Sequence, residues 1–325
     1  MRAAEIIDKF ADARVLLIGD SIVDLYTYGT AIGLAAETPT VAARRQRMQV
    51  SLGGAALVCR NLLELGASVR FITLVGDDEA RHIRSFSHPR LELVELVSTN
   101  KPTTVKQRFF IDGYSLLQLD VRDDRPISQD LETALMAAVE AALPEVDLTV
   151  ISDYRHGLLS DRLLPELLTA VRRSGKPVFV DSQVAQNESN HRLYRGDGVM
   201  CLNLREARCI DPAFEPAPEP ASFATLVREL ATNRIVVKLG EAGTLTLDGD
   251  RISSAPAANV RVVDTTGAGD AFLSAFCLAH TIDAGSALAL ANAWAGLAVQ
   301  IHSKAPPSLA DLLAMLDASG GRVAS

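Results

Sequence analysis

The sequence predicts an α/β protein with a mostly parallel central sheet that is covered by helices on both faces. Short β-branched runs, such as ARVLLIG, VRFITLVG and RIVVKLG, alternate with alanine- and leucine-rich segments of helical length. Strands that alternate with helices form parallel sheets through crossover connections. The strand runs are apolar throughout, which indicates that they are buried on both sides.

The first part of the chain follows this pattern closely. A short amphipathic helix, MRAAEIIDKF, precedes the first apolar strand, and it lacks the apolar core and cleavage site of a signal peptide. Later strands are LTVISD and PVFVD, and later helices include AALVCRNLLELG, DLETALMAAVEAAL and DRLLPELLTAVRRSG. Polar residues end or follow predicted strands at Asp20, Asp153, Asp181 and Asn203. Because open parallel sheets bind ligands at the carboxyl ends of their strands, we expect these side chains to line a site.

Two segments interrupt the alternation of strands and helices. Residues 24–51 and 103–121 are extended and rich in turn residues, and the second contains the Asp112-Gly113 pair typical of a tight hairpin. We interpret both segments as a small β-structured lid within one domain that spans residues 1–325. The proline-rich stretch from Asp211 to Ser222 is predicted to be an exposed loop.

Composition excludes several classes of function. The net charge of −8 argues against a general nucleic-acid-binding protein, which usually has a basic surface. The longest apolar stretch, ALALANAWAGLAVQI, is too short and too polar to span a membrane. The 4 cysteines include no CxxC pair, so neither a zinc site nor a disulfide framework is expected. We therefore expect a cytoplasmic protein that binds a small molecule, with neither a nucleic acid nor a membrane as its partner.

The stretch VVDTTGAGDAF, from Val262 to Phe272, places glycines at the start of an apolar helical segment. The first amides of a helix lack internal partners and carry a partial positive charge, so Gly267, Ala268 and Gly269 can cradle an anion. Asp270 has two interpretations. It can cap the helix, or it can take a proton from a hydroxyl that attacks a phosphorus atom.

The rest of the chain resembles the ribokinase-like (PfkB) carbohydrate kinase family over nearly its whole length. The two signatures are DTTGAGDAF, which starts at Asp264, and GGAALVCRNLLELG, which starts at Gly53; further matching pieces are GDSIVD, NLRE and KLGEAG. Within the family, the pieces GDSIVDLYTYG, KPTTVKQR and ISDYRHG are most similar to the D-glycero-D-manno-heptose 7-phosphate kinase branch of ADP-heptose biosynthesis. The resemblance implies ATP-dependent phosphoryl transfer to a hydroxyl of a sugar or sugar phosphate, with heptose 7-phosphate as one acceptor.

The resemblance also implies roles for individual residues. Asp270 is the general base, and the amides of Gly267, Ala268 and Gly269 stabilise charge on the transferring phosphoryl group. The residues implied in sugar binding are Asp24, Gly53, Gly54, Lys106 and Arg108. Those implied in binding ATP are Asn203, Glu206, Lys238, Gly240, Gly243 and Asn292. A homodimer formed through the lid is expected by the same analogy.

Two cations are implied beside these residues. Mg²⁺ is bound through its waters by Glu206, with Asn203 ordering the same waters. Family members also use a monovalent cation such as K⁺, and the matching positions here are Asp264 and Thr266. No other metal ion is expected.

Several of these positions have simpler structural interpretations. Asp24 can cap the turn of the lid, and Asn203 and Glu206 have the spacing of an ordinary helix start. Lys238 can be a surface charge at a strand end. We interpret His156 as a solvated loop residue rather than a catalyst.

The sequence departs from the heptose kinase pattern on the sugar side. Leu57 replaces an asparagine, the stretch DSQ at 181–183 lacks a lysine, and SDYRHG has its cation at Arg155. Two other functions stay open. A nucleoside kinase of the same fold would use aromatic stacking, for which the lid offers Tyr26, Tyr28, Phe109 and Tyr114. A regulator of this fold would bind a sugar or nucleotide without catalysis.

Overall fold

The computed structural model describes residues 2–80, 85–183, 190–196, 198–301 and 304–318. Within these ranges the strands are β1 (Arg14–Gly19), β2 (Ser21–Leu34), β3 (Val41–Gly54), β4 (Ser68–Gly76), β5 (Leu91–Ser98), β6 (Val105–Ile111), β7 (Tyr114–Val121), β8 (Leu148–Asp153), β9 (Val178–Ser182), β10 (Val199–Asn203), β11 (Arg234–Lys238), β12 (Thr244–Asp248) and β13 (Arg251–Ala255). The α-helices are α1 (Ala3–Asp8), α2 (Ala55–Glu64), α3 (Gln129–Ala142), α4 (Leu164–Arg173), α5 (Leu204–Ile210), α6 (Pro220–Leu230), α7 (Ala268–Ile282), α8 (Ala284–Ala298) and α9 (Leu309–Ala318).

The central sheet has 9 strands in the order β13-β12-β11-β10-β9-β8-β1-β4-β5. Neighbouring strands from β11 to β5 run parallel, whereas β12 and β13 are added as antiparallel strands. Parallel strands bring their carboxyl ends to one edge of the sheet, so the polar residues that follow them lie along that edge. The predicted α/β fold with a mostly parallel sheet is confirmed.

Apolar side chains cover both faces of the central sheet. Successive residues of a strand point to opposite faces. In β1, Val15 and Leu17 therefore join the core that contains α1, α2, α7 and α8, while Leu16 and Ile18 join the core that contains α3, α4 and α6. Both cores exclude solvent, which explains why the strand segments are apolar throughout rather than alternating.

A second, small sheet stands at the carboxyl edge of the central sheet. Its strand order is β3-β2-β6-β7, with β2 and β6 parallel and the other pairs antiparallel. The chain enters it through Asp20, directly after β1, and leaves it through Gly54, directly before α2. The hairpin between β6 and β7 turns at Asp112 and Gly113, both of which have positive φ, as the Asp-Gly pair predicted.

One loop is shorter than the sequence indicated. The proline-rich stretch was expected to be irregular up to Ser222, but α6 already begins at Pro220. Proline suits the first turn of a helix because its missing N–H would have no partner there. In the part of the chain that the structure describes, no helix combines the length and the apolar character needed to cross a bilayer.

Candidate active site

A row of polar side chains lies along the carboxyl edge of the central sheet. Asp153 ends β8, Asp181 lies near the end of β9, and Asn203 and Lys238 end β10 and β11 in register with each other. The sheet topology alone therefore brings four of the predicted polar positions to one edge.

Asp270 lies at the start of α7 and faces this edge. The helix begins at Ala268, and the Tyr154 hydroxyl donates a hydrogen bond of 2.6 Å to Asp270 Oδ1. The Asp270 side chain is partly exposed. The rest of the side chain is buried, and this burial raises the pKa of Asp270 to about 7, because its effect outweighs the opposing hydrogen bond from Tyr154. A carboxyl group with such a pKa is suited to accept a proton near neutral pH.

The two glycines before Asp270 differ in the room they leave, and only Gly267 is crowded. Gly267 precedes α7 with a φ of 87°, and a Cβ atom there would lie 2.5 Å from Leu57 Cδ2. Leu57 is buried and therefore forms the apolar floor under the helix start. The Ala268 N–H donates to the Thr265 carbonyl, so it is less available to a ligand than the sequence implied. The Gly269 amide, in the first turn of the helix, has no i−4 carbonyl within it.

Lys238 lies on the other side of this helix start. Its ammonium pairs with Asp181, and a Cβ atom at Gly269 would be 3.5 Å from Lys238 Nζ. Burial lowers the pKa of Lys238, but the charges of Asp181 and Glu206 more than compensate and raise it above its ordinary value. Lys238 is thus a buried cation at the helix start and not the surface charge that the sequence also allowed.

Asn203 and Glu206 form a reciprocal cap at the start of α5. The Glu206 N–H donates to Asn203 Oδ1 at 2.9 Å, and the Asn203 N–H donates to Glu206 Oε2 at 2.7 Å. This is the structural interpretation that the sequence left open. Burial, followed by the charge of Asp181, raises the pKa of Glu206 to about 7.

Gly240, Gly243 and Asn292 lie around the turn between β11 and β12. Both glycines have positive φ, and the Leu239 N–H donates to the Gly243 carbonyl. The buried Asn292 side chain approaches the Pro256 carbonyl at 2.9 Å and the Thr244 hydroxyl at 3.1 Å. Asn292 therefore ties α8 to the end of the β12–β13 hairpin.

The predicted sugar-binding residues lie on one face of the small sheet. Asp24 is in register with Lys106, and Tyr26 is in register with Arg108, two positions further along both strands. Asp24 is completely buried. Its Oδ1 pairs with Arg108 Nη1, and its Oδ2 lies 2.6 Å from Lys304 Nζ. At Gly53, a side chain would overlap the Asp24 carboxylate, and Gly54, which directly precedes α2, has a positive φ.

The loop that carries Tyr154 is hydrogen-bonded to Asp20, directly after the carboxyl end of β1. The buried Asp20 carboxylate accepts the Tyr154 N–H at 3.0 Å and the His156 N–H at 3.2 Å. Burial, together with the nearby charge of Asp153, raises the pKa of Asp20 to about 7. Asp20 was predicted to lie at this edge, whereas no local signal in the sequence marked Tyr154. The Arg155 guanidinium forms ion pairs with Asp153 and Asp161.

The expectation of a solvated His156 was wrong. The residue is only 5% exposed, and its Nδ1 has no hydrogen-bond partner among the described residues. Burial, followed by the charges of Lys106, Arg122 and Lys101, lowers the pKa of His156 to about 3. Its ring lies 6.3 Å from that of Tyr154, the tyrosine that contacts Asp270.

Asp264 and Thr266 form a turn before α7. The Thr266 N–H donates to Asp264 Oδ1 at 2.9 Å, and the Asp264 N–H donates to the Val299 carbonyl. Among residues 2–80, 85–183, 190–196, 198–301 and 304–318, no three His, Cys, Asp or Glu side chains cluster as a metal site would require. Glu206 and Asp264 therefore stand apart from any dense group of charged ligands.

A helix start suits phosphoryl transfer when it has a carboxyl group of pKa about 7, a cation beside it and a polar sheet edge opposite it. The pattern of the pfkB family carbohydrate kinases matches residues 12–310. The chain belongs to this family. It is the family that the sequence resembled, so that family assignment is confirmed.

Similar proteins agree with this assignment. The bifunctional protein HldE of Rhodopseudomonas palustris strain BisA53 is 34% identical over 310 residues, which is 92% of this chain and 62% of the relative. HldE of Nitrobacter hamburgensis is 34% identical over 317 residues, covering 94% and 64% of the two chains. The chain thus spans slightly less than two thirds of the length of these relatives.

Solved structures share the fold. Arabidopsis thaliana ribokinase, complexed with ribose and ATP, superposes with a TM-score of 0.70 at 20% identity and covers 94% of this chain and 98% of its own. Escherichia coli phosphofructokinase-2, in complex with potassium, has a TM-score of 0.75 at 18% identity, with 95% and 99% covered. The pfkB kinase therefore has the ribokinase-like fold.

Proposed function

We propose that this pfkB kinase transfers the terminal phosphoryl group of ATP to a hydroxyl of a sugar phosphate, with Asp270 as the general base. The observation that carries the proposal is the position of Asp270. The Asp270 carboxylate lies at the start of α7 and accepts a hydrogen bond from Tyr154, and Lys238 lies near the same helix start. Burial raises the pKa of Asp270 to about 7.

The reaction uses the free oxygen of that carboxylate. Oδ1 accepts the Tyr154 hydroxyl, and no described residue donates a hydrogen bond to Oδ2. The acceptor hydroxyl loses its proton to Oδ2 while its oxygen forms a bond to the terminal phosphorus atom of ATP. The bond from that phosphorus atom to the bridging oxygen breaks, and ADP leaves. The Gly267 and Gly269 amides at the start of α7 and the Lys238 ammonium stabilise the negative charge on the phosphoryl group.

The residues at this edge fit a hydrated magnesium ion. Glu206 and the Asn203 amide supply hard oxygen atoms at the end of β10, and Asp181 supplies another at the end of β9. Mg²⁺ needs few protein ligands because it usually retains several waters. When bound, it neutralises charge on the ATP phosphates. Asp264 and Thr266 are the positions proposed for K⁺, a cation present in the phosphofructokinase-2 structure.

We propose that the acceptor is a sugar phosphate of the heptose 7-phosphate type. Sequence pieces such as KPTTVKQR and ISDYRHG support this acceptor, and so do the cationic residues around Asp24. The small sheet would act as the lid that excludes water from the reaction. A nucleoside is the second candidate, because Phe110 stacks on Tyr28 at 5.5 Å and on Tyr26 at 6.2 Å.

An acceptor panel with the Asp270→Asn variant tests the proposal. ADP release is measured with heptose 7-phosphate, the unphosphorylated heptose, fructose 6-phosphate, ribose and nucleosides. With the preferred acceptor, Asp270→Asn should lower kcat by ~10²–10⁴-fold, because that range is typical of a general base, while ATP binding stays nearly unchanged. The control is Asp250→Asn, the same change at an exposed turn residue. A folded Asp270→Asn enzyme with near-normal turnover would refute the assignment.

We also propose that two copies pair through the other face of the small sheet. Leu117 and Leu119 alternate with Gln118 and Asp120 along β7 and are 54% and 53% exposed. Large exposed apolar side chains on one sheet face are typical of interfaces. Analytical ultracentrifugation should find a dimer that Leu119→Glu dissociates. A monomer at the highest protein concentrations used would contradict this pairing.

A further inference from the structure

Lys304 belongs to no sequence motif, yet its side chain reaches Asp24, the residue proposed to bind the sugar acceptor. Its ammonium lies 2.6 Å from Asp24 Oδ2, across 280 residues of sequence. It also lies 3.1 Å from the position that a Cβ atom at Gly53 would occupy. Its side chain is only 8% exposed, so the charge is buried together with the Asp24 carboxylate.

The charges around the buried Asp24 carboxylate do not balance. One carboxylate, Asp24, faces two cations, the Lys304 ammonium and the Arg108 guanidinium. Lys106, in register beside Asp24, has no ion-pair partner among the described residues. A largely buried cation that lacks its own counter-ion is costly, so this excess of positive charge favours the binding of a second anion.

Nearby carboxylates do not supply that anion. Asp120 is in register with Lys106, but it is exposed and accepts a hydrogen bond from Gln118 at 2.9 Å. Exposed ion pairs contribute little. Asp270 lies near enough for the Lys304 charge to oppose the burial that raises the Asp270 pKa. In the reaction, however, Asp270 takes up a proton and becomes neutral.

The backbone at Lys304 supports a functional placement. Its φ is 55°, in the left-handed region that residues with side chains rarely adopt. Such conformations persist where the surrounding structure holds them, and they cluster at ligand sites. Here the residue with this conformation directs its ammonium at the Asp24 carboxylate.

We propose that Lys304 is a specificity-determining residue that selects acceptors already carrying a phosphate group. The proposal rests on the proposed kinase function of the same site. In the empty site Lys304 pairs with Asp24. When sugar hydroxyls occupy Asp24, the ammonium pairs with the acceptor phosphate, which Lys106 also attracts. A neutral sugar would leave the excess positive charge without a counter-ion.

The experiment compares two acceptors that differ only in the phosphate. Steady-state kinetics at saturating ATP are measured with heptose 7-phosphate and with the same heptose lacking phosphate, for the wild type, Lys304→Met and Lys304→Arg. Lys304→Met should lower kcat/KM for the phosphorylated acceptor by about 10- to 100-fold, as expected for the loss of a charge-assisted bond. The neutral acceptor should change little, and Lys304→Arg should keep most of the activity. Lys9→Met, the same change at an exposed residue, is the control.

Other outcomes would overturn the proposal. Equal losses with both acceptors would mean that Lys304 only supports Asp24. A raised KM for ATP with no effect of the acceptor phosphate would mean that the ammonium binds the ATP phosphates instead.

A binding measurement separates this proposal from the proposed function. Isothermal titration of the same proteins with heptose 7-phosphate and fructose 6-phosphate does not depend on turnover. Sugar-phosphate binding that Lys304→Met abolishes supports Lys304 even if no acceptor of the panel is phosphorylated. Binding that the variant retains, or a wild type that binds neither ligand, refutes the role of Lys304 whatever the kinase assay shows.

Discussion

The hydrogen bond from Tyr154 to Asp270 leads to a quantitative prediction about pH dependence. The Tyr154 hydroxyl stabilises the ionised carboxylate of Asp270, whose pKa burial has raised to about 7. Tyr154→Phe removes this bond, so the carboxylate is harder to ionise and its pKa rises further. Activity needs the ionised base, and the acid limb of kcat/KM should therefore move to higher pH.

The magnitude follows from the geometry. A hydrogen bond of 2.6 Å to a charged acceptor contributes ~1.5–3 kcal/mol, and we take the lower end because Asp270 is partly exposed. Since one pKa unit corresponds to ~1.4 kcal/mol, the acid limb should move up by about one unit. At pH 7 the ionised fraction then falls from about one half to about one tenth, which lowers kcat/KM ~5-fold, whereas above pH 9 the two enzymes should converge.

The assay is ADP release between pH 5.5 and 9.5 at constant ionic strength, with the same acceptor throughout so that its own titration cancels. Tyr194→Phe is the matched control, because the Tyr194 hydroxyl donates a bond of 2.8 Å to a different carboxylate, that of Asp153. Its acid limb should stay in place. An unmoved acid limb in Tyr154→Phe, or an equal shift in both variants, would refute the role assigned to Tyr154.

Two further predictions concern packing. Gly53→Ala would push a methyl group into the Asp24 carboxylate. Because this displaces a substrate-positioning group, kcat/KM for the acceptor should fall on the order of 10- to 100-fold, while KM for ATP is unchanged. The control is Gly285→Ala, in the exposed first turn of α8, which should have no such effect, and equal behaviour of the two variants would contradict the prediction. Trp294→Phe would leave the buried Asn61 Oδ1 without the 2.8 Å bond from Trp294 Nε1 and should lower the free energy of unfolding by ~2–4 kcal/mol. Because Trp294 is the only tryptophan, the variant has no tryptophan fluorescence, and urea unfolding is followed by circular dichroism instead. A loss of unfolding free energy below about 1 kcal/mol would count against the prediction.

Local sequence was sufficient for the fold class and for one part of the site. Apolar strand runs between helical segments predicted the parallel sheet, because a strand buried on both faces has to be apolar on both. The glycines before Asp270 indicated an open helix start, and Asp20, Asp153 and Asn203 were expected at the carboxyl edge. Each of these inferences depends only on residues close together in the chain.

The remaining features depend on contacts between distant segments. Tyr154 reaches Asp270 over 116 residues, and Lys304 reaches Asp24 over 280 residues. No local pattern marks either side chain, because tyrosine after a strand or lysine after a helix is common on protein surfaces. His156 was expected in solvent for the same reason, yet it is buried.

The sequence by itself therefore determined the layered sheet, the glycine-lined start of α7 and the carboxyl group at its first turn, since backbone preference and apolar periodicity are local properties. Only the tertiary structure decided which hydroxyl donates to that carboxyl group and which cations surround Asp24. Those pairings arise where packed elements bring chain segments together, and burial then changes the charge and the pKa of the groups that meet there.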